Sequence, residues 1–181
     1  MPSPLSHIVM GYVIYKTYDY QVPENNKEKI WKFTGSLLFI VMLSLLPDFD
    51  SIIGILSGQF GRYHNNFTHS LLFGLPVAFI AAALVGWKRK SSFTTWFLIS
   101  LTAYEMHVIM DFFTVGRGVM LFWPFSTTRF ASPLKLFYGL HWSDGLLSVR
   151  HLWTFVTEIG FFLLLWIPFN LIKSLNRRSA P

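Results

Sequence analysis

An all-α, polytopic membrane bundle of about five membrane-embedded helices, one integral domain over residues 1–181, is what this sequence encodes. The chain is 52% hydrophobic and 13% charged, with a mean hydropathy of +0.44, well outside the soluble norm. Its apolar runs approach the ~20 residues that cross a bilayer as a helix. Its basic residues fall in alternate connections, as they do in multi-pass proteins.

The first element is a short apolar run over residues 4–18, with Lys16 near its end. The second covers 33–47, a 15-residue run that crosses only with its flanks or where the bilayer thins. Pro47 tends to end or kink it. The third covers 70–87, 18 residues without a charge, with Thr68 or Ser70 placed to cap it. The fourth covers 93–113, where Glu105, His107 and Asp111 are the ionisable interruptions. The fifth covers 152–172 and carries Glu158 alone. The first 15 residues lack a basic stretch, so no cleavable signal peptide is expected. With zero cysteines, disulfides and thiolate ligands are excluded, and the compartment is left open.

A net charge of +6 invites nucleic acid as a partner, but its placement argues for topology, and no nucleic acid is expected. Lys16, Lys27, Lys29 and Lys32 lie between the first two helices, Lys88, Arg89 and Lys90 between the third and fourth, and Lys173, Arg177 and Arg178 after the fifth. These hold 10 of the 15 basic residues, leaving Arg62, Arg117, Arg129, Lys135 and Arg150 on the other face. The positive-inside rule then sets the N-terminus outside and the C-terminus in the cytoplasm of an inner membrane.

On this background the scarce His and Asp residues collect in four places: His7, Asp48 with Asp50, His64 with His69, and His107 with Asp111. Ionisable groups in apolar stretches are costly unless paired, and imidazole with carboxylate is the donor set of hydrolytic metal sites. The topology puts all four on the extracytoplasmic side. His107 and Asp111, four apart, share a helix face and can chelate one ion or two neighbouring ions, or form a hydrogen-bonded structural pair. Asp48 and Asp50 could instead serve as a helix cap and turn former.

Other polar residues carry blander expectations. Glu105 falls off the ligand face and pairs within the bundle. Glu158 neutralises Arg150 or His151, or accepts from a ligand histidine. His141 and His151 pack at the interface, and Trp123, Trp142 and Trp153 mark headgroup depth. The Asn66-Phe67-Thr68 sequon is a chance match. Arg117, in Gly116-Arg117-Gly118, is either a solvated interfacial cation or the holder of an anionic substrate group.

In order and spacing, His7, Leu46-Pro47-Asp48-Phe49-Asp50, His64 through Ser70, His107-x3-Asp111 and Gly118…Pro124-Phe125 resemble the YdjM-like family of predicted membrane-bound metal-dependent hydrolases. The resemblance covers roughly residues 5–126. It implies a hydrolase without naming a substrate. The family usually reads His-Arg-Gly before the Thr-His-Ser step, whereas Asn65 and Asn66 follow His64 here. If that arginine contacts substrate, its role is lost or moved to Arg62 or Arg117. Ligand types and the H-x3-D pair are also similar, more distantly, to zinc-dependent phospholipases C and P1-type nucleases. The later H-x3-E pair of those enzymes is missing, so their three-metal site does not carry over.

The resulting expectation is a metal-dependent hydrolase with His7, Asp48, Asp50, His64, His69, His107 and Asp111 as candidate ligands. The cofactor would be one or two divalent ions, Zn2+ first and Mn2+ or Fe2+ next. Asp48, His64 and Arg117 are the candidate catalytic residues. Metal-activated water would attack an ester, foremost a phosphoester, of a lipid or lipid-linked substrate. The rivals are a non-catalytic membrane protein with a structural metal or cation-transport site, and a lipid amidase.

Overall fold

The computed structural model describes residues 1–21, 35–59, 62–89, 92–140, 145 and 148–178. Among them the regular structure is helical, with two isolated β-bridges and no named strand. Helix α1 is Pro4–Gln21, α2 Ser36–Leu45, α3 Asp50–Leu56, α4 Leu71–Arg89, α5 Phe93–Phe112 and α6 Arg150–Arg178. The expected five apolar segments are all helical, and the second is the one whose boundary changes. Pro47 does not stop the chain. It sits at the start of a 3-10 turn, Leu46–Phe49, where its missing N–H costs nothing, and α3 follows directly. His141 and Trp142 lie outside the described residues.

Two segments among the described residues are long and apolar enough to cross a membrane, Ser36–Leu56 and Arg150–Ile167. Leu71–Trp87 is a shorter apolar helix. Helix α5 carries Thr94, Thr95, Ser100, Thr102, Glu105 and His107 along its length, which lowers its hydropathy.

Helix α1 packs on α2, α4 on α5, and both α1 and α2 lie against α5. Small residues permit the close approaches, as in membrane bundles where packing replaces the hydrophobic drive. Ala78, Ala81 and Ala82 are buried in α4, and a Cβ at Gly11 of α1 would lie 2.7 Å from Ser44 Oγ and 3.0 Å from Val41 Cα. Around these seams Met10, Ile14, Ile40, Leu43, Trp96, Ile99 and Ala103 form the core. The outward faces keep large apolar side chains exposed, among them Leu38, Phe79, Ile80 and Leu164, as lipid contact requires.

The connection from 113 to 140 folds back across the helix ends. Val119 and Phe130 exchange both backbone hydrogen bonds at 2.9 Å. Gly118 makes that turn at φ +79, where a Cβ would lie 2.5 Å from the Phe130 carbonyl oxygen. Helix α6 joins the rest through few contacts. Glu158 accepts from the Ser3 amide at 2.5 Å and from its hydroxyl at 2.7 Å, and Thr154 Oγ1 donates to the Gly139 carbonyl at 2.8 Å. Glu158 thus holds the start of α1 rather than Arg150, His151 or a ligand histidine.

Candidate metal centre

The alternating direction of α1, α2, α4 and α5 brings four helix termini to one end of the bundle. His7 comes from the second turn of α1, Asp48 from the 3-10 turn after α2, and His69 from a second 3-10 turn, Phe67–His69, just before α4. His107 and Asp111 face inward from the last turns of α5. The order of signals explains this local build. Pro47 tightens the exit of α2 so that Asp48 turns under the bundle, and Ser70 accepts from the Leu72 amide at 3.2 Å at the start of α4.

Four donor atoms converge. His69 Nε2 lies 3.3 Å from both His107 Nε2 and Asp111 Oδ2, and 3.6 Å from Asp48 Oδ1. His107 Nε2 lies 3.4 Å from Asp48 Oδ1 and 4.0 Å from Asp111 Oδ2. Ligands bonded at about 2.0–2.1 Å to a tetrahedral ion sit about 3.3–3.4 Å from one another, so these separations suit one ion. His7 adds a fifth donor: its ring stacks on His107 at 3.7 Å and its Nε2 is 3.8 Å from Asp111 Oδ1.

Hydrogen bonding fixes which way the imidazoles face. His107 Nδ1 lies 2.7 Å from the Ser44 carbonyl oxygen, which can only accept, so Nδ1 carries the proton and Nε2 turns its lone pair inward. The Thr68 hydroxyl donates to Asp50 Oδ2 at 2.6 Å. Towards His69 Nδ1, 3.1 Å away, that hydroxyl can then only accept. His69 Nδ1 therefore also carries a proton, and its Nε2 also faces the centre. Meanwhile the buried carboxylate oxygens of Asp48 and Asp111, and both ring nitrogens of His7, have no hydrogen-bond partner. Buried polar atoms are rarely left so, and a divalent cation is what this donor set fits.

In protein alone, a proton can take part of that role. Burial by itself would lower the His69 pKa, but the carboxylates of Asp111, Asp48 and Asp50 raise it well above 6.5.

A second group, Asp50, His64 and His69, also brings ligand atoms within 4.8 Å of one another. Asp50 Oδ1 accepts from His64 Nδ1 at 3.0 Å, and His69 Nδ1 is 3.4 Å from Asp50 Oδ2. His64 Nδ1 also reaches Asp48 Oδ1 at 3.5 Å, so the two groups adjoin. All seven residues singled out in the sequence thus meet at one end of the bundle.

The arginines divide. Arg117 donates through Nη2 to the His64 carbonyl, bordering the centre, whereas Arg62 donates to Gln59 on an exposed loop. Arg129, noted in the sequence only as a basic residue, donates to the Asn65 carbonyl at 2.8 Å and to Asn66 Oδ1. Burial and the neighbouring Arg117 both lower the Arg129 pKa, placing two guanidiniums on the same 64–66 loop. The sequence gave no spacing signal for this pair, because the fold-back of 113–140 creates it. Thr68 was weighed only as a helix cap, yet it binds Asp50, and Tyr104 Oη donates to the Thr68 carbonyl at 2.5 Å. Glu105 packs against Gly74 rather than pairing within the bundle, and its carboxylate oxygens have no hydrogen-bond partner. His151 Nε2 donates to the Gly145 carbonyl at 2.7 Å, away from the centre.

Comparison with known proteins agrees with this arrangement. The chain is similar to inner membrane protein YbcI of Escherichia coli (strain K12), 33% identical over 109 residues that cover 55% of this chain and 60% of the relative. The match therefore spans less than two thirds of that protein. No solved structure matches. The model of the YdjM inner membrane protein family matches residues 1–177, spanning every donor of the centre and all six helices, and the chain belongs to that family.

Proposed function

We propose that this chain is a multi-pass, metal-dependent hydrolase of the inner membrane. Its substrate is an ester, foremost a phosphoester, of a lipid or lipid-linked molecule. The observation that carries this reading is the convergence of buried Asp48, His69, His107 and Asp111 donors whose carboxylate oxygens have no other partner. A bound divalent ion there, Zn2+ foremost, supplies Lewis-acid polarisation of a substrate oxygen and activates water near neutral pH.

The chain's own residues supply the rest. Asp48, His69, His107 and Asp111, with His7 beside them, hold the ion. His64, adjoining through Asp50, has an unpartnered buried Nε2 and is placed to move a proton. Arg117 and Arg129, at the border of the centre, match a phosphate group in charge and fork geometry. The donors collect at the helix ends opposite the Lys88-Arg89-Lys90 turn, which favours an extracytoplasmic site by the positive-inside rule. A transport site would sit nearer the bilayer midplane.

The test is metal analysis of the purified protein, followed by hydrolysis assays with Zn2+ or Mn2+ on phospholipids, lipid-linked pyrophosphates and acyl amides. Cleavage of a phosphoester that Asp111→Asn abolishes is the expected result. Cleavage of acyl amides alone would make it an amidase. If every substrate stays intact while the metal is retained, the centre is structural.

A further inference from the structure

The two adjoining groups invite a two-ion centre, and the hydrogen bonding argues against it. We infer that the centre takes a single ion and that Asp50 is a positioning residue, holding His69 rather than ligating; this rests on the metal-centre reading above.

Asp50 is 2% exposed, and both its oxygens are already engaged. Oδ1 accepts from His64 Nδ1 at 3.0 Å, and Oδ2 accepts from Thr68 Oγ1 at 2.6 Å with His69 Nδ1 3.4 Å away. The carboxylate oxygens of Asp48 and Asp111, equally enclosed, have no hydrogen-bond partner. Two aspartates offer free lone pairs and the third does not. For a second ion to bind Asp50 and His69 together, His69 would have to give up the Nδ1 proton while its Nε2 served the first ion, leaving an imidazolate. The carboxylate–histidine–metal arrangement needs no such step: Asp50 takes the Nδ1 proton's hydrogen bond, orients the ring and makes Nε2 a better donor. Charge agrees, since Asp48 and Asp111 balance one divalent ion, and surplus charge in a buried site is costly.

The support for Asp50 runs further out. Thr68 grips it, and Tyr104 of α5 grips the Thr68 carbonyl at 2.5 Å. The Thr68-His69 step thereby provides both a ligand and the hydroxyl that secures the ligand's orienting carboxylate.

The experiment is Co2+ titration of the detergent-purified full chain, reading stoichiometry, affinity and the visible ligand-field bands. The parent should bind one ion per chain. Asp50→Asn should still bind one, about 10–100-fold more weakly, with shifted bands. Thr68→Val, which keeps the carboxylate but removes its hydroxyl donor, should shift the bands the same way by less. This milder variant gives the answer if Asp50→Asn fails to elute as a folded species. Two ions in the parent, with one lost in Asp50→Asn, would overturn the positioning role and leave the centre standing. Unchanged affinity and bands in both variants would overturn it equally. A parent that binds no Co2+ or Zn2+ would overturn the centre itself, and this role with it.

Discussion

His69 and His107 hold their Nε2 atoms 3.3 Å apart while each directs its Nδ1 proton away, one towards Asp50 and the other to the Ser44 carbonyl. Two facing lone pairs repel unless a cation or a proton lies between them. The outward hydrogen bonds prevent either ring from turning to escape, so the pair is built for a guest.

Metal uptake should therefore compete with protons. Three carboxylates hold His69 protonated well above 6.5, and an ion that uses its Nε2 must release that proton. The sign follows: apparent affinity rises with pH through 6.5 and continues to rise above it. Calorimetric titration of Zn2+ in buffers of different ionisation enthalpy counts the protons. Uptake without proton release would contradict this geometry.

Removing one inner carboxylate should have opposite effects with and without metal. In metal-free protein, Asp111→Asn relieves a buried, unpartnered carboxylate and should leave thermal stability equal or raise it by about 1–3 kcal/mol. In the presence of Zn2+, the parent should gain stability that the variant lacks. Thermal unfolding in detergent, with and without chelator, reads both arms. Membrane insertion should be unchanged, because the helices satisfy their own backbone hydrogen bonds.

Gly11 should prove a remote determinant of the centre. A larger residue there meets Ser44 Oγ and Val41 Cα, and Ser44 Oγ donates to the His7 carbonyl at 2.8 Å while its own carbonyl holds His107. Gly11→Val should cost about 1–3 kcal/mol through overpacking and weaken Co2+ binding, whereas Gly160→Val, in open space on α6, should do neither. Equal behaviour of the two variants would remove this link.

Topology can be read with single cysteines, since the chain has none of its own. An impermeant thiol reagent applied to intact cells should label a cysteine at exposed Ser57 and spare one at Lys88. Labelling of position 88 with protection of position 57 would turn the centre to the cytoplasm.

The helices and the ligand ends were legible because two periodicities coincide. Apolar length locates the helices, and a charge in such a run stands out against it. Reversal of direction at each turn then sends the ends carrying His7, Asp48, His69 and Asp111 to one side. What was not legible is the sorting within the set. Asp48 and Asp50 are two residues apart in one motif, and only their hydrogen-bond partners, from residues 64 to 69, separate ligand from support. Arg129 was hidden for a similar reason. Its place depends on the irregular fold-back after α5, for which spacing gives no rule. Pro47 misled in a small way: a proline that stops an α-helix is equally at home opening a 3-10 turn.

The grip of Glu158 on Ser3 ties the last helix to the first by way of the donor-bearing end of the bundle. Every His and Asp of the centre lies between residues 7 and 111, so all have left the ribosome before α6 is made. The centre can therefore take shape while synthesis continues. The final helix arrives as a clasp, supplying no donor and locking the starting segment of the chain beside a site assembled ahead of it.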